Sequence, residues 1–228
     1  MGASGKAGPG PARVVTVSAS YGSSGSLIAP AVAARLGLPF YDRLIPARNA
    51  ADDAGAAGTA GTAGTEVGER LTEDERLAAR RTSFLDRLAH LTGGLGLPVP
   101  AGEDIGDHVR DAVERSIREI AAGRGGVVLG RGAMIVLAGQ PGAFHVRLDG
   151  PGDRRCARAM AFEGIGEATT RDRMVETDRA RARYLSRLYG RDAHDPALYH
   201  LLLDSTVLPV EACVRLLVDA ATAFWGAG

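Results

Sequence analysis

A short turn rich in glycine and serine is the first candidate for chemistry in this sequence. It lies between a β-branched run at 13–18 and a helix-forming segment at 27–36, and it consists of Tyr21, Gly22, Ser23, Ser24, Gly25 and Ser26. Small residues in such a turn expose several backbone N–H groups, which together with the helix dipole favour a bound phosphate. The turn lacks the G-x-x-x-x-G-K-S/T pattern, so an ordinary strand-to-helix turn is the alternative interpretation.

Three charged residues follow two other predicted strands. Asp42 and Arg43 come directly after the run 39–41, and Arg131 lies between two glycines after the run 126–130. Because the carboxyl ends of parallel strands meet at one edge of a sheet, these side chains are expected at a common crevice. Arginine binds a phosphate through two parallel hydrogen bonds. A surface Asp–Arg pair and a solvent-facing arginine are the respective alternatives.

The segment 171–191 carries seven arginines that few acidic residues offset. They are Arg171, Arg173, Arg179, Arg181, Arg183, Arg187 and Arg191. Like charges at this density repel each other, which indicates a bound polyanion, acidic neighbours or a solvated face. Binding of a nucleic acid is a further explanation for these arginines. The net charge of zero and the few aromatic residues argue against it, so no nucleic-acid partner is expected.

Extended and helix-forming segments alternate along the chain. The predicted strands are 13–18, 39–41, 126–130, 143–148 and 199–203, and the predicted helices are 27–36, 71–91, 107–122, 151–162, 169–189 and 209–224. This alternation predicts a three-layer α/β domain with a mostly parallel sheet of five strands. We expect the first strand to be central, with the glycine-serine turn over its carboxyl end.

A single domain at 13–228 is expected after a disordered tail at 1–12 that consists mainly of Gly, Ala, Pro and Ser. The Ala-, Gly- and Thr-rich stretch 50–65 predicts a flexible loop. The following segment, 66–106, predicts a helical insertion at the carboxyl edge of the sheet, and its end, 92–106, is rich in Gly and Pro.

The composition excludes several other classes of protein. Apolar residues make up 45% of the chain, which is enough for a sizeable core. Cys156 and Cys213 form no C-x-x-C motif and the five histidines show no metal-ligand spacing, so no protein-built metal site is expected. No apolar stretch has the length of a membrane span or the pattern of a secretory signal, which predicts a cytoplasmic location without a membrane partner.

Several parts of the chain resemble the divergent, cytidylate kinase-like branch of the cytidylate kinase family, in order and at similar spacing. They are V-T-V-S-A-S-Y-G-S-S-G at 15–25, L-G-L-P-F-Y-D-R at 36–43, V-V-L-G-R-G-A at 127–133, D-R-A-R-A-R-Y at 178–184 and L-D-S-T-V-L-P-V-E at 203–211. The resemblance covers nearly the whole chain, from Val14 to about Ala220.

This resemblance implies a P-loop kinase-like fold with a helical monophosphate-binding insertion and an arginine-rich lid region at 155–183. It also implies that the γ-phosphoryl group of ATP, with Mg²⁺, is transferred to CMP or a related small acceptor. The implied partners are small-molecule nucleotides, and the sequence indicates no oligomeric state. The implied catalytic residues are Arg155, Arg158 and Arg181. The implied nucleotide- and phosphate-binding residues are Tyr21, Gly22, Ser23, Ser24, Gly25, Ser26, Asp42, Arg43, Arg131 and Asp178.

The turn departs from the family pattern at its charged positions. Gly25 stands where ordinary cytidylate kinases carry the phosphate-loop lysine, and Leu27 stands where they carry the magnesium-binding Ser or Thr. Ala19-Ser20 and Ser26-Leu27 replace two Arg-Glu pairs of the branch. Mg²⁺ is therefore expected to be held mainly by the nucleotide phosphates. The alternative to a working kinase is a nucleotide-binding regulatory protein with weak or no catalytic activity.

Overall fold

The computed structural model describes residues 11–42 and 104–227. In chain order, the strands and α-helices of these residues are β1 (Val14–Ala19), α1 (Gly25–Leu36), β2 (Phe40–Asp42), α2 (Asp104–Ala122), β3 (Gly126–Leu129), α3 (Ala133–Val136), β4 (Ala143–Asp149), α4 (Gly152–Glu163), α5 (Glu167–Tyr189), β5 (Leu201–Asp204) and α6 (Val210–Gly226). A short 3₁₀ helix, Pro196–Leu198, precedes β5.

The five strands form one parallel sheet in the order β2-β3-β1-β4-β5. The predicted α/β class and the predicted central position of β1 are therefore confirmed. Within the sheet, Val17 of β1 lies beside Leu129 of β3 on one side and Val146 of β4 on the other. This register brings the carboxyl ends of β1, β3 and β4 together at one edge, where ligands bind in folds of this kind.

Apolar side chains of the sheet alternate between two layers, as the two-residue period of a strand requires. Val15 and Val17 pack with Leu217 in a layer that α1 and α6 cover. Val14 packs with Ile117 of α2 in the layer on the opposite face. All of these side chains are almost fully buried, so the sheet has a hydrophobic core on both faces.

The face covered by α2 becomes polar towards the carboxyl edge. Thr16 of β1 and His145 of β4 are buried there, and 2.8 Å separates Thr16 Oγ1 from His145 Nδ1. Arg147 follows two residues later on the same face of β4, and it is also buried. A polar path thus leads along this face to the edge at which the strands end.

Most element boundaries agree with the sequence predictions to within two residues. Gly37 ends α1 with a φ of 64°, as expected for a helix-terminating glycine. Residues 104–106 begin α2, whereas the sequence predicted a loop there because Gly106 is unfavourable within a helix. The short α3 was not predicted, because a single helical turn has no amphipathic period.

Some sequence predictions fall outside the described residues. They concern the tail up to residue 10, Arg43, the stretch 50–65, the helix 71–91 and most of the insertion 66–106. Among the residues that the structure describes, no helix combines the length and the apolar character needed to cross a bilayer.

Candidate functional site

A cleft of about 300 Å³ opens at the carboxyl edge of the sheet. It lies between the ends of β1, β3 and β4 on one side and α5 on the other. Five charged side chains line it: Arg131, Arg147, Arg181, Glu176 and Asp178. The remaining lining is largely apolar. Concave sites with an apolar wall and a few convergent charges are the usual form of small-molecule sites, so this cleft is the candidate site.

The glycine-serine turn closes one end of the cleft and places Gly25 and Ser26 on its wall. Ser24 precedes α1 in the left-handed conformation, with a φ of 59°. Among the described residues, the backbone N–H groups of Ser24, Gly25 and Ser26 have no hydrogen-bond acceptor. Three free donors at the start of a twelve-residue helix provide a place for a phosphate.

Hydrogen bonds from distant parts of the chain fix the shape of this turn. Ser23 Oγ donates to the Ser20 carbonyl at 2.7 Å, and Ser205 Oγ donates to the Ser23 carbonyl at 2.7 Å. The N–H of Tyr21 donates to Asp178 Oδ1 at 2.9 Å. The Tyr21 ring is buried and donates its hydroxyl to Glu163, so this side chain faces α4 and α5 rather than the cleft.

Two glycines of the turn are in close contact with neighbouring atoms. A Cβ at Gly22, where φ is 75°, would lie 2.3 Å from the Arg155 carbonyl oxygen. A Cβ at Gly25 would lie 2.3 Å from the Cβ of Ala19. The turn therefore requires glycine at both positions, and a lysine at position 25 does not fit beside Ala19.

Arg131 reaches the cleft from the loop after β3. Gly130, Arg131 and Gly132 have consecutive positive φ values of 78°, 58° and 69°. The left-handed conformation is strained for arginine and is held here by packing. The guanidinium carbon lies 5.9 Å from the centre of the Tyr184 ring, so Arg131 rests on α5. A Cβ at Gly132 would lie 2.9 Å from the Tyr189 ring, and this glycine thus permits the close approach of α5.

Arg147, which the sequence reasoning missed, lies at the floor of the cleft. Its Nε and Nη2 donate to Asp149 Oδ2 at 3.1 and 2.7 Å, and Nη2 also lies 3.1 Å from Ser20 Oγ and 3.2 Å from His194 Nδ1. Its guanidinium carbon lies 5.8 Å from the centre of the Tyr199 ring. Among the described residues Nη1 has no acceptor, so this nitrogen remains for a ligand.

Arg147 keeps the carboxyl group of Asp149 ionised. Burial favours the protonated form of Asp149, but hydrogen bonds from Arg147 and from the Gly150 N–H outweigh it and hold the pKa of this carboxyl below its usual value. Asp149 is therefore ionised at neutral pH and keeps the guanidinium in place.

Arg181 and Asp178, which the resemblance implied as site residues, both line the cleft. Arg181 Nη1 donates to the Ala19 carbonyl at 2.8 Å and lies 3.9 Å from Asp178 Oδ1. Asp178 in turn accepts from the Tyr21 N–H and from Arg155 Nη1 at 2.7 Å. These contacts attach the middle of α5 to the end of β1.

Six other predicted site residues do not line the cleft: Gly22, Ser23, Ser24, Asp42, Arg155 and Arg158. Arg155 donates to the carbonyls of Gly150 and Tyr21 at 2.9 and 2.8 Å. Arg158 donates to two carbonyls of the loop 205–208. Asp42 is exposed at the end of the edge strand β2. The catalytic and binding roles of these residues stay predictions.

The cleft fits phosphate groups better than it fits a metal ion held by the protein. The free N–H donors of the turn and the guanidiniums of the lining suit the phosphates of a nucleotide such as ATP. Leu27 has no atom that ligates Mg²⁺, and the described residues contain no cluster of three potential metal-ligating side chains.

Comparison with known proteins gives a family match over most of the chain. The model of the family described as "Cytidylate kinase-like family" matches residues 14–207. The uronate isomerase of Corynebacterium glutamicum is 31% identical over 103 residues, which are 43% of this chain and 19% of that protein. The chain thus spans about a fifth of the length of this curated relative.

Solved structures with similar folds share little sequence with this chain. An uncharacterized protein from Eubacterium ventriosum superposes with a TM-score of 0.60 at 16% identity, over 92% of this chain and 98% of that chain. A gluconokinase from Sinorhizobium meliloti gives 0.49 at 16% identity, over 96% and 97% of the two chains. The first likeness indicates a shared fold.

Proposed function

Because the chain belongs to the cytidylate kinase-like family, we propose that it is a phosphotransferase that moves the γ-phosphoryl group of ATP to a nucleoside monophosphate such as CMP. One observation carries the proposal. The guanidiniums of Arg131, Arg147 and Arg181 come from three different elements and line one cleft, beside the free N–H groups at the start of α1. Phosphoryl transfer depends on such positioned cations, because it needs little covalent chemistry from the protein.

Different residues of the cleft bind the phosphate acceptor and the phosphate donor. Arg131 and the open Nη1 of Arg147 bind the acceptor phosphate and orient its oxygen for attack. This phosphate is largely ionised near neutral pH, so no general base is needed to activate it. The N–H groups of Ser24, Gly25 and Ser26 bind donor phosphates. Bound ATP with Mg²⁺ would supply the transferred phosphoryl group.

Contacts between α5 and the turn support a role for α5 as the cover of the cleft. Asp178 and Arg181 join the helix to the backbone of Tyr21 and Ala19. A cover on this side excludes water, which would otherwise compete as the acceptor of the phosphoryl group.

A second candidate, a nucleotide-binding regulatory protein without transfer activity, is favoured by the composition of the turn. Gly25 takes the position of the phosphate-loop lysine, and a side chain at this position would collide with the Ala19 Cβ. Arg155 and Arg158, which the resemblance implies to be catalytic, already donate to backbone carbonyls. In this interpretation the cleft binds a nucleotide but does little to stabilise the transition state of phosphoryl transfer.

A coupled ADP-release assay with each nucleoside monophosphate, with and without Mg²⁺, tests the proposal. We expect turnover with CMP or another monophosphate, and a loss of at least ~10-fold in kcat/KM for Arg131→Met. Arg171→Met is the matched control, because Arg171 lies on the exposed face of α5 and pairs with Glu167 and Asp153. Calorimetric binding of nucleotide without turnover would favour the regulatory candidate, and neither binding nor turnover would contradict both.

A further inference from the structure

Buried polar atoms without a partner concentrate at the cleft. Four buried side-chain nitrogen or oxygen atoms in the described part of the chain have no hydrogen bond of normal distance and angle: Arg131 Nε, Thr177 Oγ1, Tyr184 Oη and Tyr189 Oη. The Tyr184 hydroxyl nevertheless lies close enough to Arg131 and Tyr189 to interact with both. Arg131, Thr177 and Tyr184 line the cleft, and Tyr189 does not. We call Arg131 Nε, Thr177 Oγ1 and Tyr184 Oη the unsatisfied cluster. Folded proteins satisfy nearly all buried polar groups, so three exceptions around one cleft indicate groups that a ligand satisfies.

Thr177 gives the sharpest evidence, because its residue is only 7% exposed. A buried threonine in a helix ordinarily donates to the carbonyl one turn earlier. Thr170 of the same helix does so, with Oγ1 3.0 Å from the Gly166 carbonyl oxygen. Thr177 has the same opportunity but makes no such bond. Its hydroxyl therefore lacks the partner that a buried hydroxyl needs, and the residue lines the cleft.

Tyr184 follows Thr177 by seven residues, with Arg181 between them, so all three lie on one face of α5. Burial raises the pKa of Tyr184, and the charge of Arg131 only partly offsets this, so the phenol stays protonated and can donate. The Arg131 guanidinium rests on the same ring, and Arg131, Thr177 and Tyr184 all line the same cleft.

The donor chemistry of the unsatisfied cluster determines what it can bind. Arg131 Nε can only donate, and the hydroxyls of Thr177 and Tyr184 are free to donate with it. Three donors, one of them charged, suit the oxygens of a single oxyanion. Stacking of a nucleobase is less suited to these walls, because guanidiniums already cover the rings of Tyr184 and Tyr199.

We propose that Thr177 and Tyr184 join Arg131 as ligands of the acceptor's phosphate group, so that two hydroxyls of α5 complete the acceptor site. This inference rests on the proposed function for the identity of the acceptor, a phosphate monoester. Binding of the acceptor then satisfies the three polar atoms at once. Acceptor binding is thereby linked to the position of α5, the helix that carries both hydroxyls.

The test uses two variants that remove only a hydroxyl, Tyr184→Phe and Thr177→Val. Binding of CMP, inorganic phosphate and ATP is measured by calorimetry, and thermal unfolding is measured without ligand. We expect each variant to bind CMP and phosphate about 10-fold more weakly, with unchanged ATP affinity. We expect the Tm of the ligand-free variants to rise by about 2–4 °C, because a buried group without a partner has been removed. A residue with a purely structural role would lower the Tm instead.

One control variant matches these changes. Thr170→Val removes a hydroxyl on the same helix that is already bonded to the Gly166 carbonyl. It should bind CMP and phosphate as the parent does.

Several results would overturn the inference: unchanged CMP and phosphate affinity in both test variants, a lowered Tm in both, an effect confined to ATP, or a parent protein that binds no phosphate. The expected binding losses in a protein without any kinase turnover would support the inference while contradicting the proposed function.

Discussion

Replacing Arg147 by methionine tests the floor of the cleft directly. Methionine keeps the unbranched, apolar part of the side chain and removes the guanidinium. Asp149 then loses two hydrogen bonds, and Ser20 and His194 lose one partner each. The substitution also removes the cation above the Tyr199 ring. The protein should be measurably less stable, and it should also bind phosphate less well.

The expected loss of stability follows from the burial of the two partners. Removing one member of a fully buried ion pair costs about 3–5 kcal/mol, because the other charge remains buried. The Arg147 side chain is 8% exposed, but that of Asp149 is 33% exposed, so water can partly solvate the remaining carboxylate. We therefore expect a smaller loss of about 2–3 kcal/mol. For a domain of this size, that corresponds to a fall in Tm of about 4–12 °C.

Thermal unfolding followed by circular dichroism at several pH values measures this effect. Because the folded-state pKa of Asp149 lies below its unfolded value, the stability from the pair is fully present above about pH 4–5. It is lost as the pH falls through the depressed folded-state pKa, so the difference between parent and variant should shrink in strong acid. Arg154→Met is the matched control. Its partner is Asp204, both side chains are more exposed, and the loss should stay below about 1 kcal/mol.

An unchanged Tm for Arg147→Met at neutral pH would refute the reasoning. So would a double variant with Asp149→Asn in which the two losses simply add, since residues in one hydrogen-bonded pair must show coupling.

Three further predictions concern other parts of the fold. Gly22→Ala should destabilise the protein by about 2–3 kcal/mol in denaturant unfolding, because the new Cβ would approach the Arg155 carbonyl oxygen at a positive φ; an unchanged midpoint would contradict this packing. Arg155→Ala should lower the Tm even without nucleotide, because the Asp178 carboxylate and two carbonyls lose their donor; a loss of turnover at unchanged Tm would instead support the predicted catalytic role. Burial and the neighbouring His200 lower the pKa of His145 to about 4 in the folded protein. Below pH 6.5 this imidazole is therefore protonated in the unfolded chain but still neutral in the folded protein. Stability should therefore fall by about 3 kcal/mol between pH 6.5 and 4, and His145→Gln should flatten this dependence in thermal unfolding curves.

The sequence was sufficient to predict the architecture because the local signals agree with the fold. β-Branched runs became strands, Gly37 ended α1, and the turn after β1 reached the expected edge. Arg131 and Arg181 also line one cleft. The position of Arg131 after β3 indicated this edge, whereas Arg181 was expected there only from the resemblance to the family. The other features depend on residues close in sequence and on the general topology of parallel sheets.

Arg147 was missed because the run 143–148 has the composition of a buried strand. A signal was nevertheless present: Arg147 and Asp149 are two residues apart, and residues with this spacing in a strand share a face and can pair. The roles of Arg155 and Arg158 depend on carbonyls that are distant in sequence, such as those of Tyr21 and Leu208. Every residue has a backbone carbonyl, so the sequence does not indicate which carbonyls an arginine will contact. These partners are known only once the fold is known.

The contact between Gly25 and Ala19 has a consequence for how this loop can evolve. A side chain at position 25 would collide with the Ala19 Cβ, whereas glycine at position 19 would remove the obstructing atom. Two substitutions that would together restore a lysine are therefore tolerated in only one order, Ala19→Gly before Gly25→Lys. The first step brings no lysine and so no gain in phosphate binding for selection to act on. A chain with this pair of residues consequently cannot acquire a lysine at position 25 by a single substitution without this collision.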